Sequence, residues 1–122
     1  MNTTGQARSG RFSVTTSKNG EVTVLHVTGD LDVLTAPTLG TRLDVALAGA
    51  PSVLIVDLSE VEFLSSAGIS MLVETHRLTE RAGMSLRVVA EGPATSRPLR
   101  MMSLDDLIDI YPTVDEAVRG RE

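Results

Sequence analysis

Cysteine and tryptophan are absent from this chain, and its aromatic residues are only Phe12, Phe63 and Tyr111. Without thiols there can be no disulfide, no cysteine nucleophile and no cysteine-type zinc site, a composition that fits a reducing compartment. With so few rings, the 42% of residues that are hydrophobic must build an aliphatic core. Cations are also scarce. Eleven Lys and Arg against sixteen Asp and Glu leave a net charge of -5, the wrong balance for tracking a phosphate backbone, so no direct contact with nucleic acid is expected. No stretch approaches the ~20 apolar residues needed to cross a bilayer. The opening MNTTGQARSGR is polar and has no apolar signal-peptide centre. A cytoplasmic protein without membrane contact is the expectation.

At 122 residues the chain fits one domain, since separate cores begin at roughly 250 residues. Residues 1–10, rich in Ser, Thr, Gly and Arg, bury too little to offset the entropy of ordering and are expected to form a flexible tail. Residues 11–120 are expected to form the domain. Two β-branched runs flank Lys18-Asn19-Gly20, where Asn-Gly tolerates the positive φ of a tight hairpin. After GDLDVLT, Thr35 is placed to cap a helix with Pro37 in its first turn, and Ala36, Leu39, Leu43, Ala46, Leu47 and Ala50 recur at helical spacing. SVLIVDL is an unbroken branched run suited to a strand covered on both faces. Met71, Leu72, Thr75, Leu78 and Ala82 form the next helical stripe, closed by Gly83, and MSLRVVA is a further strand. TSRPLRMMSLDD is expected to hold a short helix, LIDIYP a short strand and TVDEAVRG a last helix capped by Thr113. The order β-β-α-β-α-β-α-β-α predicts an α/β fold, a mixed and mostly parallel sheet of about five strands packed with about four helices. If the second and third strands run parallel, Asp30-Leu31-Asp32 and Leu64-Ser65-Ser66 leave the same end of the sheet, the end that carries function in such folds.

The stretch VEFLSSAGISML, Val61 to Leu72, places two hydroxyls, an alanine and a glycine between an apolar strand and an apolar helix. Serine there is accounted for by capping, because its oxygen accepts from the free N–H groups of a first turn. One serine suffices for that. A second hydroxyl then lies beside the positive end of the helix dipole, where an attached phosphate is favoured, and the small Ala67 and Gly68 would let another protein come close. A serine hydrolase is a weaker reading. The nucleophile elbow G-x-S-x-G is half met at Ser66, with Gly68 after it but Leu64 before it, and His26 falls in a strand and His76 in mid-helix. Asp30 and Asp32 lack the further carboxylates of a calcium or zinc site and suit turn chemistry. Neither phosphate-binding glycine motif is present. RPLRMM reads either as core or as a small basic and apolar patch for a partner.

Three segments, VTGDLDVLTAPTL, VLIVDLSEVEFLSSAGISML and PLRMMSLDDLIDIYPTVDEAV, together resemble a STAS domain of the anti-sigma factor antagonist family over residues 12–119. The most specific part is Asp57-Leu58-Ser59 followed by Phe63-Leu64-Ser65-Ser66-Ala67-Gly68, similar to the family's D-L-S and its aromatic-apolar-D-S-[ST]-G. Gly29-Asp30-Leu31-Asp32 matches its G-[ED]-L-D. The resemblance implies a single STAS domain over 11–120, no enzymatic activity and no cofactor. It further implies phosphorylation of Ser66 by an anti-sigma factor that is also a serine kinase, with a protein phosphatase resetting the switch. Asp30, Asp32, Ser65, Ala67 and Gly68 would then form the partner-binding surface. The sequence departs from the family in having Ser65 where aspartate is usual and Ala67 where Ser or Thr is usual. That departure leaves an alternative, a STAS scaffold or ligand-sensing module that is never phosphorylated.

Overall fold

β1 (Ser13–Asn19) and β2 (Val22–Leu31) form the expected hairpin in the computed structural model, which describes residues 11–120. The tail proposed for residues 1–10 lies outside the described residues. Asn19 pairs with Val22 as part of the ladder, and the positive φ of the turn, +64°, falls on Gly20. Beyond the hairpin come α1 (Ala36–Ala48), β3 (Val53–Leu64), α2 (Ser66–Ala82), β4 (Ser85–Val89), α3 (Ser96–Met101), a 3-10 turn at Leu104–Asp106, β5 (Asp109–Tyr111) and α4 (Val114–Arg119). The strands lie in the order β1-β2-β3-β4-β5. Only the β1–β2 pair is antiparallel; β2, β3, β4 and β5 run parallel.

The sheet separates two aliphatic layers. On one face Leu25, Val27, Leu31, Leu54, Val56, Leu58 and Val88 pack with Leu39 and Leu43 of α1, Leu72 of α2 and Leu99 of α3. On the other, Val24, Ile55, Val89 and Tyr111 meet Ala117 of α4. Central strands covered on both sides explain the unbroken apolar runs in the sequence. β1 closes one edge of the sheet, and Arg42 of α1 reaches across it, donating to the Val14 carbonyl and to Thr16 Oγ1, both at 2.6 Å. A guanidinium on an edge strand blocks further strand addition.

Several local expectations are corrected. β3 does not end at Leu58 but continues through SEVEFL to Leu64, paired with β2 to its last residue and interrupted only by register shifts at His26/Thr28 and Gly29/Asp30. The buried stripe of α2 is Gly68, Ile69, Leu72, Thr75 and Thr79. Leu78 is 39% exposed, and Thr79 is tolerated inside because its hydroxyl donates to the His76 carbonyl at 2.9 Å. Ala50 lies beyond α1 with φ +50° and is exposed. Thr35 stands at the start of α1 but does not cap it; its hydroxyl turns back toward β2. Thr113 does cap α4, accepting from Glu116 N–H at 3.1 Å. In RPLRMM, Leu99 is core while Met101 and Met102 are exposed.

These placements separate two leucines that helical spacing alone would treat alike. Leu72→Ala should cost about 2–5 kcal/mol, and Leu78→Ala about 1 kcal/mol or less, in urea unfolding at constant m-value. Equal losses would contradict the orientation of α2.

Candidate functional site

The parallel register brings Asp30 beside Phe63 and Leu31 beside Leu64, so the chain leaves β2 and β3 at the same height. The two exits are then tied together, with Ser65 N–H donating to the Leu31 carbonyl at 3.0 Å. On the β2 side the turn is locked by side chains. Asp32 Oδ1 accepts from the N–H groups of Leu34 and Thr35 at 3.0 and 3.1 Å. The Thr35 hydroxyl donates to the Asp30 carbonyl at 2.7 Å and accepts from Asp32 N–H at 2.9 Å. Asp32 is therefore an Asx-turn residue, as turn chemistry predicts. Asp30 is half-buried and, among the described residues, its carboxylate has no hydrogen-bond partner.

On the β3 side the two serines diverge. Ser65 holds the N-cap position with extended φ and ψ of -91° and 174°, yet its side chain makes no capping hydrogen bond. Its Oγ is sealed from solvent and, among the described residues, has no hydrogen-bond partner. Capping by a serine hydroxyl, the simple explanation of the pair, does not occur. Ser66 is the first helical residue of α2, a helix of 17 residues, and it is exposed. No acidic residue lies in that first turn, so the partial positive charge of the free N–H groups is not neutralised there. Ala67 is half-buried at the rim.

Gly68 corrects the expectation that it belongs to the exposed surface: it is buried. A Cβ on it would stand 2.8 Å from Leu31 Cγ and 2.8 Å from Leu64 Cδ1. Glycine is required because the helix rests directly on the last side chains of β2 and β3. It serves the surface indirectly, by fixing where α2 begins.

Sequence reasoning missed the apolar part of this end. Val33 and Leu34, at the tip of the locked turn, are 72% and 84% exposed, and Phe63, next to Asp30, is 54% exposed. The clue in the sequence was LDVLT itself, two large aliphatic residues inside a turn whose polar residues carry the turn chemistry. Neither histidine serves Ser66. His26 Nδ1 is bonded to Asp57, and His76 lies along α2 near Glu80.

The family model of the STAS domain matches residues 13–117. The chain is 36% identical over 111 residues to an anti-sigma-F factor antagonist, RsfB, of Mycobacterium tuberculosis, a match covering 89% of this chain and 88% of that one. It is 29% identical over 99 residues to the anti-sigma-B factor antagonist of Bacillus subtilis, covering 81% and 90% of the two chains. The crystal structure of an anti-sigma factor antagonist from Mycobacterium paratuberculosis superposes with a TM-score of 0.84 at 36% identity, over 88% of this chain and 92% of that one. This chain belongs to the STAS-domain family of anti-sigma factor antagonists.

Two substitutions test the geometry of the helix start. Gly68→Ala should destabilise the fold by about 1–3 kcal/mol, the cost of overpacking against two buried leucine side chains that must shift to admit the methyl. Ser65→Ala, which removes a buried hydroxyl with no partner, should leave thermal stability unchanged or raise it by up to about 1 kcal/mol. A clear loss with Ser65→Ala would mean that its oxygen has a partner after all.

Proposed function

We propose that this protein acts in the cytoplasm as an anti-sigma factor antagonist whose unmodified form docks on an anti-sigma factor with serine kinase activity and so frees a sigma factor. Phosphorylation at Ser66 ends that contact, and a protein phosphatase restores it. The observation that carries the reading is the contrast between neighbouring hydroxyls: Ser66 open to solvent at the tip of α2, Ser65 sealed beneath it. Only one of the two can be presented to a kinase. The names of the relatives supply the class of partner.

The physics of the switch follows from the site. A phosphate on Ser66 adds about -1.5 to -2 charge and three acceptor oxygens. Within the free protein the N-terminus of α2 favours that charge by about 0.3–1 kcal/mol, so modification leaves the fold intact. At the partner contact the balance reverses. Asp30 is already an uncompensated carboxylate beside the docking surface, and placing like charges together in an interface costs several kcal/mol, enough for roughly a thousandfold change in affinity. Val33, Leu34 and Phe63 give the same surface apolar anchors, the kind of residue that carries binding energy when a partner desolvates it.

With the kinase partner and ATP, one phosphate should be added per chain and mass spectrometry should place it on Ser66. Full phosphorylation of Ser66→Ala, or phosphate on Ser65, would refute the assignment. Ser66→Asp should bind the anti-sigma partner at least tenfold more weakly than wild type by calorimetry, with unchanged circular dichroism. Leu34→Ala should cost about 1–3 kcal/mol of binding with no loss of folding stability; unaltered affinity would remove the turn from the docking surface.

A further inference from the structure

The sheet face opposite α1 and α2 carries a second serine constellation, remote in sequence from Ser66. His26 of β2 directs Nδ1 at Asp57 Oδ2 of β3, 2.9 Å away, and Nε2 at Ser17 Oγ of β1, 3.2 Å away. Asp57 is anchored in turn, its Oδ1 accepting from Ser59 N–H at 3.0 Å. Three adjacent strands thus align Ser, His and Asp in one hydrogen-bonded row. The alternation of β1 explains the face. Val14 packs into the core and Thr16 is held by Arg42 of α1, so Ser17 points the other way. On that side α4 packs mainly against β3, β4 and β5, and its Ala117 meets Val24 of β2, two residues before His26, while Ser17 stays exposed on β1.

The connectivity matters more than the composition. A carboxylate on Nδ1 selects the imidazole tautomer protonated there, which leaves Nε2 with a lone pair facing the serine hydroxyl. That is the arrangement in which histidine takes a proton from a serine nucleophile. The access also fits: Asp57 has a side-chain exposure of 10% and His26 of 38%, while Ser17 is exposed. The orienting group is buried and the reacting atoms are open. β1 is an edge strand, and edge strands present N–H groups that no neighbouring strand uses, donors of the type that can meet a developing oxyanion.

We propose that Ser17 is a nucleophilic serine that accepts acyl groups from small activated esters, with His26 as general base and Asp57 as the residue that positions His26. Ser17 Oγ bonds to the ester carbonyl carbon as the bond from that carbon to the leaving oxygen breaks. The electron pair departs with the leaving group. The hydroxyl proton passes to His26 Nε2 and from there to the leaving group or to water. The open, shallow setting restricts the donor to small esters with good leaving groups. This reactivity is independent of Ser66 and of any partner protein.

The test uses the full chain and p-nitrophenyl acetate. One acetyl group per chain, placed on Ser17 by peptide mass spectrometry, is expected, with Ser17→Ala unlabelled and Ser13→Ala labelled like wild type. His26→Ala should lower the acylation rate by at least about 100-fold, and added imidazole should restore part of it, which a purely structural histidine would not allow. For Asp57→Asn the expected readouts are slower acylation together with loss of the Nδ1-protonated signature in the imidazole nitrogen NMR spectrum of His26. Acetylation confined to lysine or other sites, or a Ser17 rate unaffected by His26→Ala, would overturn the proposal.

Discussion

The parallel pairing of β2 with β3 out to Leu31 and Leu64 is the constraint on which this end of the molecule depends. It sets two chain exits at one height, and the Ser65 N–H bond to the Leu31 carbonyl closes the gap between them. α2 can start immediately after β3 because Gly68 lets its first turn settle on the leucines that end both strands. Were β3 to stop at Leu58, the turn carrying Asp32 and the start of α2 would lie at different levels, and no common surface would exist.

From that constraint follows the division of labour between two adjacent serines. A residue at the N-cap has its direction fixed by extended backbone, and here that direction seals its hydroxyl from solvent. The next residue enters the helix and turns out. The helix dipole, the absence of acidic residues in the first turn and the exposure of the Ser66 hydroxyl then coincide at one atom. The apolar turn at Val33 and Leu34 needs its own rigidity to be useful as an anchor, and the side chains of Asp32 and Thr35 supply it through four hydrogen bonds to nearby backbone. A preorganised turn loses less freedom when it binds.

The opposite face of the sheet shows how a strand fold gathers groups that its sequence scatters. Ser17 and His26 are nine residues apart and Asp57 is thirty-one beyond His26. They meet because the hairpin register sets Ser17 diagonally from His26 and the parallel register sets His26 beside Asp57.

The sequence by itself determined the element order, the mostly parallel sheet, the hairpin at Gly20, the helix stop at Gly83 and the Thr113 cap, because each depends on local periodicity or on one residue's backbone preference. It also determined that a hydroxyl stands where α2 begins. Tertiary structure alone decided which hydroxyl is open, since Ser65 and Ser66 are chemically identical and differ only in what surrounds them. It decided that Thr35 bonds backward to Asp30 and not forward into α1, and that Thr79 goes inside in place of Leu78, because both choices depend on neighbours remote in sequence. It likewise decided the length of β3, whose SEVEFL segment alternates over only four residues and is held in the sheet by the partner strand it pairs with.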